Sequence, residues 1–443
     1  MEAYMRHLLL LVLLAATAAQ GDWPQWRGPQ HNGVGQGQEL PLKWSATENV
    51  AWKTPLPAWS GSTPVVWGQR IFLTSPAASG QPLQAPPPPG QRRRGKGMDP
   101  GGAELLLLCL DRSTGEVLWQ RQLDQGNALH RKHNNTSPSP VTNGLGVWAV
   151  TGTGVVSAFD MEGELLWQSD LQEQYGPFGL MWGYASSPLL HKGLLIVEVL
   201  HGKKTDEPSY VVAFEAATGA VKWRHIRATD APGESPDAYT TPVVLKHQGQ
   251  EHIVVLGGDY ITGHDPASGR EVWRAGGLNP QREQNYRIVG SPLVAGGMVY
   301  APTRKTPLLA FKAAAQGGLQ QVWSWQGEGA PDVPSPVSDG RHFYMVDDRG
   351  RATCLDAKTG VRIWGPERTQ QGNVSASPIL ADGKLYIVNE YGVTTVLAAG
   401  PTFEILAVNT LDGDYTLASP ALAGDRLLLR TASHLYCIGP PNN

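Results

Sequence analysis

One short phrase governs this chain. A Ser or Thr followed by Pro and then by apolar residues recurs eight times along it. The first four copies are Thr63-Pro64, Ser139-Pro140, Ser187-Pro188 and Thr241-Pro242. The rest are Ser291-Pro292, Ser335-Pro336, Ser377-Pro378 and Ser419-Pro420. Successive prolines lie 76, 48, 54, 50, 44, 42 and 42 residues apart. A period of that size marks a repeat array, whose units bury a core only by stacking on one another. The 443 residues are therefore expected to form one domain rather than the two or three that length alone suggests.

The repeat unit reads as two hairpins. After the proline an apolar run meets a Gly-containing turn and a second apolar run follows, as in Ile379-Leu380-Ala381-Asp382-Gly383-Lys384-Leu385-Tyr386-Ile387-Val388. Asp-Gly and Gly-Gly between β-rich runs are hairpin signals, because such turns need positive φ. The second hairpin carries Asp-x-x-Thr/Ser-Gly in its turn and ends in Trp. Cys109–Trp119, Ala213–Trp223, Gly263–Trp273 and Cys354–Trp364 align without gaps, with Glu215 in place of the Asp in the second. Ala158–Trp167 is one residue shorter, Ala310–Trp323 has lost the Asp, and Val396–Leu406 has lost both Asp and Trp. Each Trp is large enough to dock on the neighbouring sheet, so Trp119, Trp167, Trp223, Trp273, Trp323 and Trp364 are expected to be structural. Trp52 precedes the first repeat, in a strand (50–54) without a blade of its own, whereas the chain ends on a third strand (435–438) lacking a fourth. Joining the two completes an eighth blade and leaves no open sheet edge. The expected fold is all-β: a single eight-bladed β-propeller spanning residues 22–440, closed by its N-terminal strand.

The hairpin text Ala-x-Asp-x-x-Thr-Gly-x-x-x-Trp resembles the tryptophan-docking repeat of pyrroloquinoline quinone (PQQ)-type propellers, which are eight-bladed. The opening Asp22-Trp23-Pro24-Gln25-Trp26-Arg27-Gly28-Pro29 is similar to the start of many secreted bacterial PQQ-like repeat proteins. The resemblance covers nearly the whole mature chain and implies the fold, while the docking motif itself serves enzymes and non-enzymes alike.

Composition narrows the function classes. A net charge of −3 argues against a general nucleic-acid binder. Residues 1–19 read as a signal peptide: Arg6 and His7, a short apolar run from Leu8 to Leu14, then small residues offering an Ala-x-Ala-like cleavage site. No Cys stands near that site, so a lipid anchor is not expected, and the expected location is the periplasm or the exterior. No later apolar stretch is long enough to span a bilayer. The three cysteines, Cys109, Cys354 and Cys437, lie in apolar third-strand runs and read as buried core residues. Residues 76–104 stand outside the repeat. With four consecutive prolines and Arg92-Arg93-Arg94 they read as a disordered basic insertion in blade one.

In a propeller of this strand order, the inter-blade segments and the loops between second and third strands share one face. Those loops are polar: Asp259 and Tyr260, Arg304 and Lys305, Asp347, then Asn389, Glu390 and Tyr391. Trp182 and Tyr184 join them from an inter-blade segment. These ten residues are the expected ligand or partner face. From each blade-ending Trp to the next repeat Pro there are 21, 21, 19 and 19 residues, then 13 and 14, so a wall rises over blades two to five. The groove is expected inside that wall. His130 and His133, or Asp347-Asp348 with Glu390, are the metal candidates, although no metal-ligand spacing accompanies them. Asn134-x-Thr136 and Asn373-x-Ser375 match the glycosylation pattern, which matters only in a eukaryotic secretory setting. There is no phosphate loop, zinc spacing or nucleophile elbow.

Two functions compete. A binding scaffold without chemistry, a monomer holding a protein or a polar or carbohydrate ligand, resembles the propeller component of outer-membrane assembly machinery. A quinoprotein dehydrogenase would use PQQ and calcium, and the resemblance implies a quinone held between a Trp and a ring of two adjacent, disulfide-bonded cysteines. This chain has no Cys-Cys pair and no haem Cys-x-x-Cys-His. The scaffold is the expected function, with no catalytic residue and no cofactor.

Overall fold

The computed structural model describes residues 21–36, 39–81, 99–314 and 317–440. The signal-peptide region lies outside them. Eight four-stranded antiparallel sheets make up the fold, and the one helix among the described residues is Leu171–Tyr175, capped by Asp170. Blade one contains Val65–Trp67, Arg70–Pro76, Glu104–Asp111 and Val117–Gln125. Blades two to seven follow in chain order, each strand pairing with the next. In blade eight, Val50–Pro55 pairs with His434–Ile438, setting Trp52 opposite Cys437. The two ends of the chain thus meet within one sheet.

The recurrent phrase forms a belt. The Thr63 amide donates to the Ser139 hydroxyl (3.0 Å), Ser139 to Ser187 (2.9 Å) and Ser187 to Thr241 (3.2 Å). Thr241 donates to Ser291 (2.8 Å), Ser291 to Ser335 (2.9 Å) and Ser335 to Ser377 (2.9 Å). Ser377 donates to Ser419 (3.0 Å), and Ser419 returns to Thr63 (3.2 Å). The proline after each residue holds it extended, so its amide faces the next blade and not its own sheet. Eight buried bonds, each of about 1 kcal/mol net, run once around the channel. The phrase recurs because every blade must both donate and accept.

A second tie lies at the rim. Six of the seven docking Trp residues donate the indole N–H to a turn carbonyl of the following blade. Trp52 reaches Arg112 (3.0 Å), Trp119 reaches Met161 (3.1 Å) and Trp167 reaches Ala216 (2.8 Å). Trp223 reaches Pro266 (2.9 Å), Trp323 reaches Ala357 (3.1 Å) and Trp364 reaches Gly400 (3.0 Å). The turn Gly lies against the ring: a Cβ on Gly219 would fall 2.6 Å from Trp167 Cδ2, at φ +75. Trp273 differs. It donates to His252 Nδ1 of its own blade (3.2 Å). Blade seven has no docking Trp. Trp44, buried at 5% exposure, packs beside it, stacked 6.4 Å from Tyr386, while its amide donates to Asn409 (2.9 Å).

Residues 21–36 cross the channel on the side away from the inter-blade segments. Trp23 bridges to Val66 of blade one and Val34 to Leu380 of blade seven. The Thr142 amide of blade two donates to the Pro24 carbonyl (2.8 Å). The Arg27 guanidinium, 3% exposed, donates to the Pro336 carbonyl of blade six. Repeat arithmetic left this segment unassigned; it closes one end of the ring.

Composition treated residues 76–104 as one loose piece, and the described ends correct that. The Ala77 amide donates to the Glu104 carbonyl (2.9 Å). Trp59 donates to the Asp99 carbonyl (2.6 Å), and Asn127 and Asn134 to that of Pro100 (2.6 and 3.2 Å). The base is built into the ring by buried donors that composition cannot reveal. Excising residues 82–98 with a short Gly-Ser closure should leave the melting temperature unchanged. Excising 77–103 should lower it, because Trp59 and Asn134 lose acceptors at about 1–3 kcal/mol each. Thermal melts of both deletions check this, and equal effects would remove the distinction.

Candidate functional site

Above the belt lies a cup of about 300 Å³. Its floor is Trp26, whose indole N–H donates to the Ser419 hydroxyl (3.4 Å). Because residues 21–36 close the channel beneath it, the cup is blind. Its walls are inter-blade segments, which bring in Trp182, Tyr239, Arg287, Asp332 and Ser375. Two loops between second and third strands add Arg304 and Asp348.

A small hairpin straps the mouth. Leu129–His130 pairs with His133–Asn134, and Arg131 turns the corner at φ +60. Lys132 reaches Glu390 of blade seven (2.7 Å) and Ser375 (3.2 Å). Arg131 lies over the ring of Trp182, between blades two and three, at 5.3 Å. In an eight-bladed ring these anchors lie on nearly opposite sides.

Most of the cup's charges are paired. Arg287 lies 3.5 Å from Glu234 and 3.6 Å from Asp332, and Arg304 lies 3.5 Å from Asp332. Asp348 accepts the amides of Asp332 (3.2 Å) and Val333 (3.0 Å). Burial, with Asp332 second, pushes its carboxyl up to about 6. Burial pushes His133 down to about 4 and lowers His130 as well, so both imidazoles are neutral at neutral pH. Their rings lie 5.3 Å apart, with His130 Nε2 on Asn135 Oδ1 (2.7 Å).

Of the ten residues expected at this face, Trp182 and Arg304 line the cup. Glu390 reaches it through Lys132 and Ser375, whose hydroxyl donates to it (2.6 Å). The others do not line it. Asp347 accepts the Arg349 and Arg351 amides (3.0 and 2.9 Å) and pairs with Arg351 Nε (2.7 Å). Asn389 does the same for Tyr391 and Val393 (3.0 and 3.1 Å), and Tyr391 sits half-buried beside Gly372. Asp259, at φ +65, is buried and accepts from Asn279 (3.1 Å). Tyr260 donates to Asp230 (2.8 Å), Lys305 pairs with Glu283, and Tyr184 is buried with its ring 5.0 Å from Phe178. These polar side chains satisfy the backbone and neighbours of tight turns. The segments that do build the cup, around 130–133, 182, 239 and 287, were marked by their length. Trp26 and Asp332 carried no such mark.

The metal and quinone readings can be tested on the donor set. Among the described residues no cluster of three or more His, Cys, Asp or Glu is placed to hold a metal ion. The three cysteines are buried and free, in blades one, six and eight, and none lines the cup. The strap residues His130, Arg131, Lys132 and His133 share the lining with Trp26. These residues do not fit PQQ with calcium.

Residues 103–366 match the family model described as "Outer membrane protein assembly factor BamB". The protein of that name from Yersinia pestis is 23% identical over 340 residues, covering 74% of this chain and 78% of its own. The dehydrogenase subunit of the quinone alcohol dehydrogenase of Gluconobacter oxydans is 31% identical over 137 residues, 25% of this chain and 17% of that protein. Among solved structures, BamB from Moraxella catarrhalis superposes with a TM-score of 0.59 at 13% identity, covering 88% of this chain and 99% of its own. A europium-containing methanol dehydrogenase superposes with a TM-score of 0.68 at 13% identity, covering 94% and 90%. Identities this low show shared fold alone. The family match, which takes in more than half of the sequence, goes further: this chain belongs to the BamB family of PQQ-like eight-bladed propellers.

Proposed function

We propose that this protein is a periplasmic binding propeller without chemistry of its own, and that its binding site is the loop-face cup. The observation that carries the reading is convergence: inter-blade segments from around the ring meet over one blind cup. Function in a repeat scaffold resides in such segments because the strands are committed to packing. Membership of a family described by outer-membrane assembly supports a role in holding a partner or ligand in the cell envelope. No helix among the described residues is long and apolar enough to cross a membrane. The likeness to dehydrogenases supports the fold alone, since the cup lacks the paired cysteines and the cation ligands that a quinone would need.

The test is reconstitution. Purified protein mixed with PQQ and calcium should neither retain the quinone through gel filtration nor reduce a dye with alcohols or sugars. Quinone-dependent turnover would overturn the reading.

A further inference from the structure

The cup's polarity narrows what it can hold. Arg131, Lys132, Arg287 and Arg304 line it. Three of them meet carboxylates, Arg287 and Arg304 at Asp332 and Glu234 and Lys132 at Glu390, while Arg131 lies over the Trp182 ring and Asp348 accepts backbone amides. An incoming anion would have to displace one of those carboxylates or draw Arg131 off the Trp182 indole.

Two polar atoms of the lining are unspent. His133 Nε2 and Asp332 Oδ1 are buried and have no hydrogen-bond partner in the structure. An imidazole nitrogen and a carboxylate oxygen are both served by hydroxyl groups, which donate and accept with equal ease. Buried polar atoms of this kind are normally satisfied, and both side chains belong to the lining of the cup.

The rest of the lining sets apolar side chains among the hydroxyls of the belt. Trp26 is half-buried at the floor, its indole N–H on Ser419 and the Arg27 guanidinium 5.6 Å from its ring, with Val289, Val333 and Leu417 also in the lining. A pyranose ring has a complementary form, with a C–H face for the indole and a rim of hydroxyls. At about 300 Å³ the cup is at the small end of ligand pockets. With its floor sealed and its mouth strapped it has no second exit for an extended peptide.

We infer that the cup binds a neutral saccharide end-on, one ring resting on Trp26 with its hydroxyls on His133 and Asp332. This deepens the reading of the loop face as the binding site and rests on it.

The test is titration followed by intrinsic tryptophan fluorescence and calorimetry. The probes are neutral mono-, di- and oligosaccharides, with citrate and an acidic peptide as the anion and peptide arms. At least one neutral saccharide should saturate with little dependence on salt, and affinity should stop rising once the chain exceeds the one or two rings that the cup accommodates. His133→Phe keeps the ring contacts and removes Nε2. It should weaken binding about tenfold, the loss of one buried hydrogen bond, at an unchanged melting temperature. Trp26→Ala should abolish the fluorescence change. No binding across the sugar panel, binding indifferent to both variants, or binding by citrate or peptide in place of sugars would overturn the inference. If sugars fail while an envelope extract still slows hydrogen exchange in the cup, this inference alone falls. Slowed exchange elsewhere would take the reading beneath it as well.

Discussion

A chain lacking residues 22–55 should fail to fold cooperatively. The deletion removes Val50–Pro55, the outer strand of blade eight, and bares the hydrogen-bonding edge of His434–Ile438. It removes Trp23 and Trp44, buried at 1% and 5% exposure, together with Trp52 at 8%. It also deletes the segment that ties blades one, two, six and seven across the channel. Three buried indoles at about 3–5 kcal/mol each are comparable to the roughly 5–15 kcal/mol by which a folded protein is ordinarily stable. Trp52→Ala alone tests one tie and should cost about 3–5 kcal/mol, read from the urea midpoint. A truncated protein melting within a few degrees of the intact chain would show that the other strands hold the ring unaided.

The second large effect is expected at the docking turns. Gly219 and Gly360 combine positive φ (+75 and +70) with an indole where a Cβ would go, 2.6 Å from Trp167 and 2.7 Å from Trp323. Gly383 has a similar φ of +67 but nothing within 4 Å of its would-be Cβ. An Ala at Gly383 should cost only the left-handed term, about 1–2 kcal/mol. Gly219→Ala and Gly360→Ala should each cost more, because the indole must leave its carbonyl to make room. Trp167→Ala should reach about 3–5 kcal/mol. Chemical denaturation of the four variants checks the order. Equal losses at Gly219, Gly360 and Gly383 would mean that the indole adds nothing to the turn's requirement for glycine.

The fold was legible because its determinants repeat. Eight Ser/Thr-Pro phrases and a Trp-ended hairpin are readable without an alignment, and the offset of Trp52 pointed to the shared blade. What the phrase does was not legible. The belt exists only when eight copies close on one another, and no single copy contains a partner. Trp44 and Trp26 escaped for a related reason: they belong to a segment that occurs once, and its path across the channel depends on contacts with blades more than 300 residues away.

At the site, sequence separated place from residues. The lengths of the inter-blade segments pointed to the wall that encloses the cup. The polar loop residues were less informative, because Asp and Asn in a tight turn look the same whether they bind a ligand or their own backbone. Asp347 and its neighbour Asp348 show the difference. One caps its turn through Arg349 and Arg351, whereas the other lines the cup. Only the path of the backbone distinguishes them.

The central claim is that binding occurs in the cup on the loop face. Hydrogen exchange on the full-length protein, with and without a cell-envelope extract, tests it most directly. Slowed exchange is expected in 129–139, 180–187 and 285–291, with the outer strands and residues 21–36 unchanged. Protection confined to the blade rims or to the opposite face, with the cup segments exchanging as before, would contradict it.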